Sequence, residues 1–316
     1  MIGDTAIVGA GIAGLVCARQ LAGAGVGVTL FDKSRGPSGR LSTRRRDGRH
    51  WDHGAPFFEA RHPDFQAACR GWAQVGVVAR WGPPDCWVGL PRMSALGRHL
   101  SNGLELRTSC RIGRLVPTAG GVALVDTAGA EQGCFERVVV AVPAPQAVAL
   151  LESVPTLQQV AKDAVMVPMH ALLLELPGPL DGVAELVRPS TGPLSVLVRN
   201  AAKPGRPAGE CWVAHTTLAW TQAHLERDPV GLQDDLVAAF CEAVGQSVTP
   251  MTAQVHRWRY ARAPQQGAWA DGFGLGPGHR IGVCGDWCAG GGVEAAWRSG
   301  DQLAQKLLSM EASSWP

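Results

Sequence analysis

Three glycines and one aspartate near the N-terminus have the types and spacing that bind a dinucleotide. Gly9, Gly11 and Gly14 follow a short apolar strand, and Asp32 ends the next predicted strand. Glycines allow a tight turn and a close approach to a pyrophosphate, while the following helix offers free N–H groups. A carboxylate at Asp32 accepts ribose hydroxyls and disfavours a 2′-phosphate. The pattern predicts a dinucleotide-binding fold in preference to a purely structural turn.

A second glycine-rich element indicates that the dinucleotide is a flavin dinucleotide and not a nicotinamide dinucleotide. Residues 36–40 contain Gly36, Gly39 and Arg40, which supply another permissive backbone and a cation for the pyrophosphate. A plain nicotinamide site lacks this element. We therefore expect FAD, with at least one arginine of the run 44–46 facing its phosphates.

The C-terminal part contains a complementary motif. A strand at 280–284 is followed by Asp286 and by a glycine-rich loop that enters a helix at Gly292. The carboxylate suits the ribityl hydroxyls, and the N–H groups suit flavin atoms where negative charge accumulates on reduction. Alternatively, Asp286 is a helix N-cap or turn residue.

Composition excludes several classes of protein. The 316 residues are 46% hydrophobic and carry a net charge of +2, which gives no broad electrostatic case for nucleic acid. No apolar run predicts a membrane span and no signal peptide is evident, so we expect a cytoplasmic protein.

The cysteines indicate reduced thiols. Their number, nine, is odd, and the spacing of the close pair Cys284 and Cys288 is poor for zinc, so we expect neither a disulfide framework nor a metal. Cys288 is more suitable as a small buried residue than as a covalent flavin attachment. We therefore expect FAD to be bound non-covalently.

The order of elements predicts an α/β protein with a Rossmann-type FAD-binding lobe and an inserted mixed α+β substrate lobe. The FAD-binding domain is expected to comprise residues 1–60, 92–148 and 270–312, and the substrate domain 61–91 and 149–269. Within the latter, residues 194–199 are predicted as a strand, and residues 229–244 as a helix. The proline- and glycine-rich piece 203–209 is predicted to be an exposed loop.

Motifs along nearly the whole chain resemble bacterial renalase-like flavoproteins, within the wider flavin amine oxidase group. The most specific are Gly-Asp-Trp-Cys at 285–288 and Arg-Trp-Arg-Tyr-Ala at 257–261. Others match at 31–36, 39–40, 43–45, 52–55, 87–89, 140–146 and 212–215. The resemblance implies the p-hydroxybenzoate hydroxylase and amine oxidase architecture.

The motifs and the resemblance together indicate which residues contact FAD. They are Gly9, Gly11, Ile12, Ala13, Gly14, Asp32, Lys33, Gly39, Arg40, Leu41, Arg44, Gly54, Ala55, Pro56, Pro143, Trp258, Asp286, Gly292, Val293 and Glu294.

Two residues are candidates for the catalytic site. By resemblance, the strand that holds His215 borders the substrate pocket, although a lone strand histidine is more often a core residue. Trp258 is expected to form a wall of the flavin site, while Arg257 and Arg259 either meet an anionic substrate or extend into solvent. Tyr260 is the only tyrosine, which disfavours an aromatic cage of paired tyrosines for amines.

The resemblance implies an oxidase that returns isomeric dihydronicotinamide dinucleotides, 2- or 6-dihydroNAD(P), to NAD(P)+ and reduces O2 to hydrogen peroxide. The alternatives are a flavin amine oxidase or desaturase acting on another small molecule, and a flavin-binding protein without turnover. We expect a small-molecule substrate and O2 as partners, with no nucleic acid or membrane; the oligomeric state is undetermined.

Some positions depart from the resembled pattern. They are Pro56 with Phe57, His170, Ala295 and a shorter segment between Arg80 and Trp87. These positions would shape the substrate pocket, so they weaken the inference of the substrate more than that of the cofactor.

Overall fold

The computed structural model describes residues 4–263 and 266–312, with side chains as far as residue 310. The helices are α1 (Ile12–Gly23), α2 (Pro63–Gln74), α3 (Ser94–Ser101), α4 (Ala144–Leu150), α5 (Pro155–Asp163), α6 (Leu218–Ala223), α7 (Gln233–Val244), α8 (Asp286–Ala289) and α9 (Gly292–Ala312). Within these described ranges, no helix combines the length and apolar character needed to cross a membrane.

The strands, numbered in chain order, are β1 (Thr5–Val8), β2 (Val28–Phe31), β3 (Arg44–Arg46), β4 (Arg49–Trp51), β5 (Phe58–Glu59), β6 (Val78–Arg80), β7 (Cys86–Gly89), β8 (Glu105–Arg107), β9 (Ile112–Thr118), β10 (Gly121–Asp126), β11 (Glu131–Phe135), β12 (Arg137–Val140), β13 (Val167–Leu176), β14 (Leu186–Val187), β15 (Leu194–Arg199), β16 (Glu210–Thr216), β17 (Thr252–Arg262), β18 (Phe273–Leu275) and β19 (Ile281–Cys284). Short 3₁₀ turns cover Asn200–Ala202, Val230–Leu232 and Pro277–His279.

The chain divides into two units. Unit 1 comprises Met1–Gly39, Gly97–Met166 and Arg262–Pro316, and unit 2 comprises Arg40–Leu96 and Val167–Ala261.

Unit 1 is built on a six-stranded sheet of order β18-β19-β12-β1-β2-β8. Every neighbouring pair is parallel except β18 and β19. Ile7 pairs with both Leu30 and Val139, and all three are buried, as expected of a parallel sheet covered on both faces. Helix α1 packs on α9 so closely that a side chain at Gly300 would collide with the backbone of Ala13. This sheet carries the predicted glycine turn at the end of β1.

Unit 2 contains a five-stranded antiparallel sheet of order β14-β15-β16-β13-β17. Alternation along the strands separates two faces. One face packs with α7, through a cluster that includes Leu172, Trp212 and Phe240. The other face carries Ala171, Leu173, Cys211 and Val213, which form a cluster with Trp51 of β4, and Trp258 packs against this cluster.

These divisions differ from the predicted domain boundaries, above all at residues 40–60, which fall in unit 2. The indole nitrogen of Trp51 donates to the backbone oxygen of Leu174 at 2.8 Å, so this segment is attached to the central sheet of unit 2. The assignment of cofactor and substrate roles to the units stays a prediction.

The prediction for residues 203–209 is wrong in part. Ala208 and Gly209 are exposed, but the side chain of Lys203 is fully buried and that of Arg206 nearly so. Both cations pair with a buried carboxylate, and this pairing overrides the local proline and glycine signal. The strand predicted at 194–199 is confirmed as β15, and the helix predicted at 229–244 as a 3₁₀ turn followed by α7.

Candidate functional site

In unit 1, the turn between β1 and α1 is shaped by its glycines. Gly9 has φ +112°, and a Cβ there would lie 2.5 Å from the oxygen of Ala141. A side chain at Gly14 would collide with the oxygen of Gly9. At Gly11, by contrast, a Cβ would meet nothing within 4 Å, so the backbone is open at this position. Ile12 and Ala13 follow as the first buried residues of α1.

Asp32 is fixed beside this turn. Its Oδ2 accepts from the backbone N–H of Ala10 at 2.7 Å, and its Oδ1 accepts from that of Ser34 at 2.7 Å. An ionised carboxylate has further lone pairs on both oxygens, which suits a pair of ribose hydroxyls.

The second glycine-rich element lies against the first. The N–H of Ser38 donates to the oxygen of Ala10 at 2.9 Å, and a Cβ at Gly39 would lie 3.2 Å from the Cα of Gly11. Gly39 has φ +53°. The two motifs that sequence reasoning combined into one dinucleotide site are therefore adjacent. Lys33 is exposed at this edge, where its amine donates to Gln146 Oε1 at 3.2 Å.

The C-terminal motif lies in unit 1 as well. Asp286 is buried and is the first residue of α8, with Gly285 at the N-cap, so the N-cap alternative is wrong. Three successive glycines with positive φ, 290–292, lead into α9, whose first turn holds Val293 and Glu294. The indole N–H of Trp287 donates to the oxygen of Val142 at 3.1 Å, which ties the motif to the segment before Pro143.

Cys288 is completely buried in this motif. Burial, together with the nearby charge of Asp286, raises the pKa of its thiol well above the usual value. A thiol held protonated is a poor nucleophile, which favours a packing role. Within residues 4–263 and 266–312, no group of three histidine, cysteine or acidic side chains is arranged to hold a metal ion.

The residues of unit 1 fit the adenosine and pyrophosphate part of FAD. The open backbone at Gly11, the fixed carboxylate of Asp32 and the adjacent loop at Gly39 provide what such a group requires. The other predicted FAD contacts of this unit are Gly9, Ile12, Ala13, Gly14, Lys33, Pro143, Asp286, Gly292, Val293 and Glu294.

The remaining predicted contacts belong to unit 2. They are Arg40, Leu41, Arg44, Gly54, Ala55, Pro56 and Trp258. The N–H of Ala55 donates to the oxygen of Arg40 at 2.9 Å, and a side chain at Gly54 would collide with that same oxygen. The Arg40 guanidinium donates to the oxygen of Ala261 at 3.4 Å. Segments 40–42 and 54–55 are thus held together.

Trp258 is part of an aromatic and basic group with His53, His256 and Arg44, called here the Trp258 cluster. The indole N–H of Trp258 donates to the backbone oxygen of His53 at 2.9 Å. Ring centroids lie 5.2 Å apart for His53 and Trp258, and 4.7 Å apart for His256 and Trp258. Arg44 Nη2 lies 3.5 Å from His256 Nδ1.

Both histidines of the Trp258 cluster are neutral at pH 7. Burial is the main cause, and it lowers the pKa of His53 to about 3, with further contributions from His256 and Arg44. Burial and Arg44 lower the pKa of His256 to about 4. The charge of the cluster is therefore the single positive charge of Arg44.

His215 lies on β16, opposite Ala171 of β13. It is next but one to Val213, so it belongs to the same face of the sheet as the residues that Trp258 packs against. The side chain is 2% exposed. This placement is compatible with a lining residue on that face.

Arg257 and Arg259 alternate with Trp258 and so point to the opposite face. Arg259 forms two hydrogen bonds to Glu226, at 2.8 and 2.9 Å, and Arg257 donates to the oxygen of Leu225 at 2.6 Å. The hypothesis that one of them meets the substrate beside Trp258 has no support in this arrangement.

Sequence reasoning missed a buried ionic group of Asp52, Lys203 and Arg206, called here the Asp52 cluster. Asp52 Oδ2 lies 3.0 Å from Lys203 Nζ and also accepts from Arg206. Burial alone would raise the pKa of Asp52, but the two cations outweigh it and hold that pKa well below the usual value. Asp52, in the 52–55 motif, was the one part of this cluster that the sequence indicated, because its partners Lys203 and Arg206 are distant in the chain.

The departures from the resembled pattern also have defined places. His170 is completely buried, with its ring 5.8 Å from that of Trp220, and neither ring nitrogen has a hydrogen-bond partner among the described residues. Ala295 is buried in α9, and Pro56 is buried in unit 2.

Comparison with known proteins identifies the family. Residues 7–72 match the model of the NAD(P)-binding Rossmann-like domain, and residues 81–308, well over half of the chain, match that of flavin containing amine oxidoreductases. A segment is 46% identical over 48 residues to a zeta-carotene-forming phytoene desaturase of Myxococcus xanthus, covering 15% of this chain and 9% of that protein.

Many solved structures share the fold, and two of them illustrate the match. One, from Exiguobacterium sp. 255-15, is provisionally described as a protoporphyrinogen oxidase, with TM-score 0.76 and 12% identity over 98% of this chain and 99% of that one. The other is cyclohexylamine oxidase from Brevibacterium oxydans IH-35A, with TM-score 0.73 and 12% identity over 99% of this chain and 100% of that one. The chain belongs to the flavin containing amine oxidoreductase family and is an FAD-dependent oxidoreductase.

Proposed function

We propose that the chain is a renalase-like oxidase of isomeric dihydronicotinamide dinucleotides. The substrate, 2- or 6-dihydroNAD(P), loses a hydride and becomes NAD(P)+. Bound FAD supplies the hydride acceptor and delivers two electrons to O2, which with protons gives hydrogen peroxide. The residues of the chain bind and orient the substrate ring.

The charge of the Trp258 cluster supports this proposal. Its two histidines are neutral at pH 7, and Arg44 carries its only charge. Asp52, next to His53 in the chain, is already paired with Lys203 and Arg206. A surface of this positive charge disfavours the ammonium group of an amine substrate, which weighs against the amine alternative.

The roles of the candidate residues follow from their chemistry. Trp258, held by its hydrogen bond to His53, offers a fixed flat surface for an aromatic ring. His215 needs no part in proton transfer, because removing a hydride from a dihydropyridine requires orientation and not a base. We assign it to lining the substrate site.

The alternatives are oxidation of another amine, desaturation of an apolar substrate, and flavin binding without turnover. Family membership and the shared fold with cyclohexylamine oxidase keep the first alternative open. The single tyrosine, Tyr260, weighs against an aromatic cage of paired tyrosines.

Anaerobic stopped-flow mixing distinguishes these functions. The purified holoenzyme is mixed with the 2-, 6- and 4-dihydro isomers of NAD(P), benzylamine and a catecholamine, and flavin absorbance is followed. We expect rapid bleaching by the 2- and 6-isomers, slow bleaching by the 4-isomer and none by the amines. Air should then restore the yellow form with one peroxide per flavin.

Fast reduction by an amine, without response to any isomer, would overturn the substrate assignment in favour of an amine oxidase. Absence of reduction by every donor would favour the non-catalytic alternative. Neither result affects the family or the cofactor.

A further inference from the structure

The Asp52 cluster joins the two ends of the β3–β4 hairpin to two other segments of unit 2. Asp52 follows β4, and its Oδ1 accepts from Thr43 Oγ1 at 2.7 Å and from the N–H of Met93 at 3.1 Å. Its Oδ2 accepts from Lys203 and Arg206. One carboxylate thus connects segments around residues 43, 52, 93 and 203–206.

The cations extend these connections. Arg206 Nη1 donates to the oxygen of Gly89 at 2.7 Å, and Lys203 Nζ donates to Asn200 Oδ1 at 2.8 Å. The amide of Asn200 in turn donates to the oxygen of His50 at 2.8 Å. Both oxygens of the Asp52 carboxylate are therefore used, and their bonds reach the segments at Thr43, at Met93 and at 203–206.

The cluster is unusual in its burial and its charge. The side chains of Asp52 and Lys203 are 0% exposed and that of Arg206 is 1% exposed. One carboxylate faces two cations. Burial lowers the pKa of Lys203 to about 8, which is still above pH 7, so the amine stays mostly protonated and the group carries a surplus positive charge at that pH. Removing these charges from water costs free energy, and apolar residues of similar volume often give a protein of equal or greater stability. Stability alone therefore does not explain the cluster.

A second observation connects the Asp52 cluster with the candidate site. Asp52 directly precedes His53, whose backbone oxygen holds the indole of Trp258, and the next two residues are Gly54 and Ala55. A displacement of Asp52 is transmitted through one peptide unit to the support of Trp258.

We propose that the buried Asp52, Lys203 and Arg206 cluster is a positioning device that sets segment 53–55 and the ring of Trp258 for the flavin. The proposal rests on the predicted flavin contacts of Gly54, Ala55 and Trp258. It does not depend on which substrate is oxidised.

The test measures FAD affinity and the flavin spectrum in variants that stay folded. Asp52→Asn keeps the shape of the side chain but leaves two buried cations without their carboxylate. We expect FAD binding to weaken about tenfold, because residues of one ion-pair network are energetically coupled. We also expect the visible circular dichroism of the bound flavin to change at saturating FAD. Lys203→Met alone keeps the Asp52–Arg206 pair and should weaken binding less.

The double variant Asp52→Asn with Lys203→Met should bind FAD more tightly than Asp52→Asn, because it removes one of the unpaired cations. Glu210→Gln is the matched control. It removes the carboxylate of another ion pair of unit 2, in which Glu210 is buried and Arg199, at 2.7 Å, is 30% exposed, while the neutral amide can still accept from Trp212. This control should lose thermal stability but keep FAD affinity and the flavin spectrum.

Unchanged FAD affinity and spectrum in folded Asp52→Asn would overturn the proposal, as would an equal loss of affinity in Glu210→Gln. If Asp52→Asn does not fold, the flavin spectrum of Lys203→Met tests the proposal instead. An unaltered spectrum in that variant would overturn the proposal. The stopped-flow panel with unmodified enzyme tests the proposed function separately.

Discussion

The indole N–H of Trp258 donates a 2.9 Å hydrogen bond to the backbone oxygen of His53, although 205 positions separate the two residues in the chain. The bond joins the end of one hairpin to an edge strand of the central sheet of unit 2. It fixes the plane of a ring that also packs against Trp51, Leu173 and Val213. The predicted flavin wall is therefore held in this unit by both a hydrogen bond and packing.

Replacing Trp258 by Phe should impair catalysis more than folding. The variant keeps an aromatic ring but loses the bond to His53, so the ring plane is no longer fixed. We expect kcat/KM for 2- or 6-dihydroNAD(P) to fall about 10- to 100-fold, the scale of small misplacements at a reacting centre. Steady-state kinetics and thermal unfolding measure the two effects.

Trp72→Phe is the matched control for that variant. Trp72 lies on α2, with its ring edge-on to Phe65 at 6.1 Å, and has no predicted role at the site. Equal kinetic losses in the two variants would contradict a specific role for Trp258.

Replacing Asp32 by Ala should weaken FAD binding. The substitution removes a carboxylate that the turn holds ready for ribose hydroxyls, and hydrogen bonds to a charged group contribute about 1.5 to 3 kcal/mol. Titration of the apoprotein with FAD, followed by flavin fluorescence, measures the change.

Asp126→Ala provides the comparison for Asp32. Asp126 likewise accepts from two backbone N–H groups, those of Ala128 and Ala130, at 2.8 and 2.9 Å, but in a turn between β10 and β11. FAD affinity should be unchanged in this variant. The same result for Asp32→Ala would mean that its carboxylate does not contact the cofactor.

Denaturation should release the flavin from the protein as unmodified FAD. Cys288 is buried and its thiol is held protonated, so we expect no covalent bond to the cofactor. Acid or heat, without protease, should release FAD and not FMN, as chromatography of the supernatant shows. Cys288→Ser should give the same yield, and flavin that remains in the pellet of the unmodified protein but not of this variant would contradict the prediction.

The N-terminal part of the site could be predicted from sequence because its requirements are local. Gly9, Gly14 and Asp32 lie within one strand-helix-strand segment, and each residue type is dictated by backbone geometry or by the group to be bound.

The Asp52 cluster could not be predicted in this way. Lys203 and Arg206 lie about half the chain away from Asp52, and their own segment has the proline and glycine content of a surface loop. Only the tertiary arrangement of the hairpin, the segment at Met93 and the 3₁₀ turn brings them together. The opposite orientation of Arg257 and Trp258, by contrast, follows from strand alternation alone.

His170 should make the protein sensitive to mild acid. Burial is the first cause that lowers its pKa, to about 4, with Arg257 and His224 contributing, while an unfolded histidine titrates near the ordinary value of 6.5. Below pH 6.5 the unfolded chain therefore binds a proton that the folded protein excludes. The free energy of unfolding should fall as pH drops from 6.5 towards 4, and His53 and His256 act in the same direction.

Replacing His170 by Phe should reduce this pH dependence and stabilise the protein at pH 7. Both ring nitrogens are buried without partners among the described residues, and removing such groups should add roughly 1 kcal/mol to the free energy of unfolding. Urea unfolding at pH 5 and pH 7 measures both effects. A variant at His170 that is less stable at pH 7, with the pH dependence of the unmodified protein, would show that this histidine has a polar partner in solution.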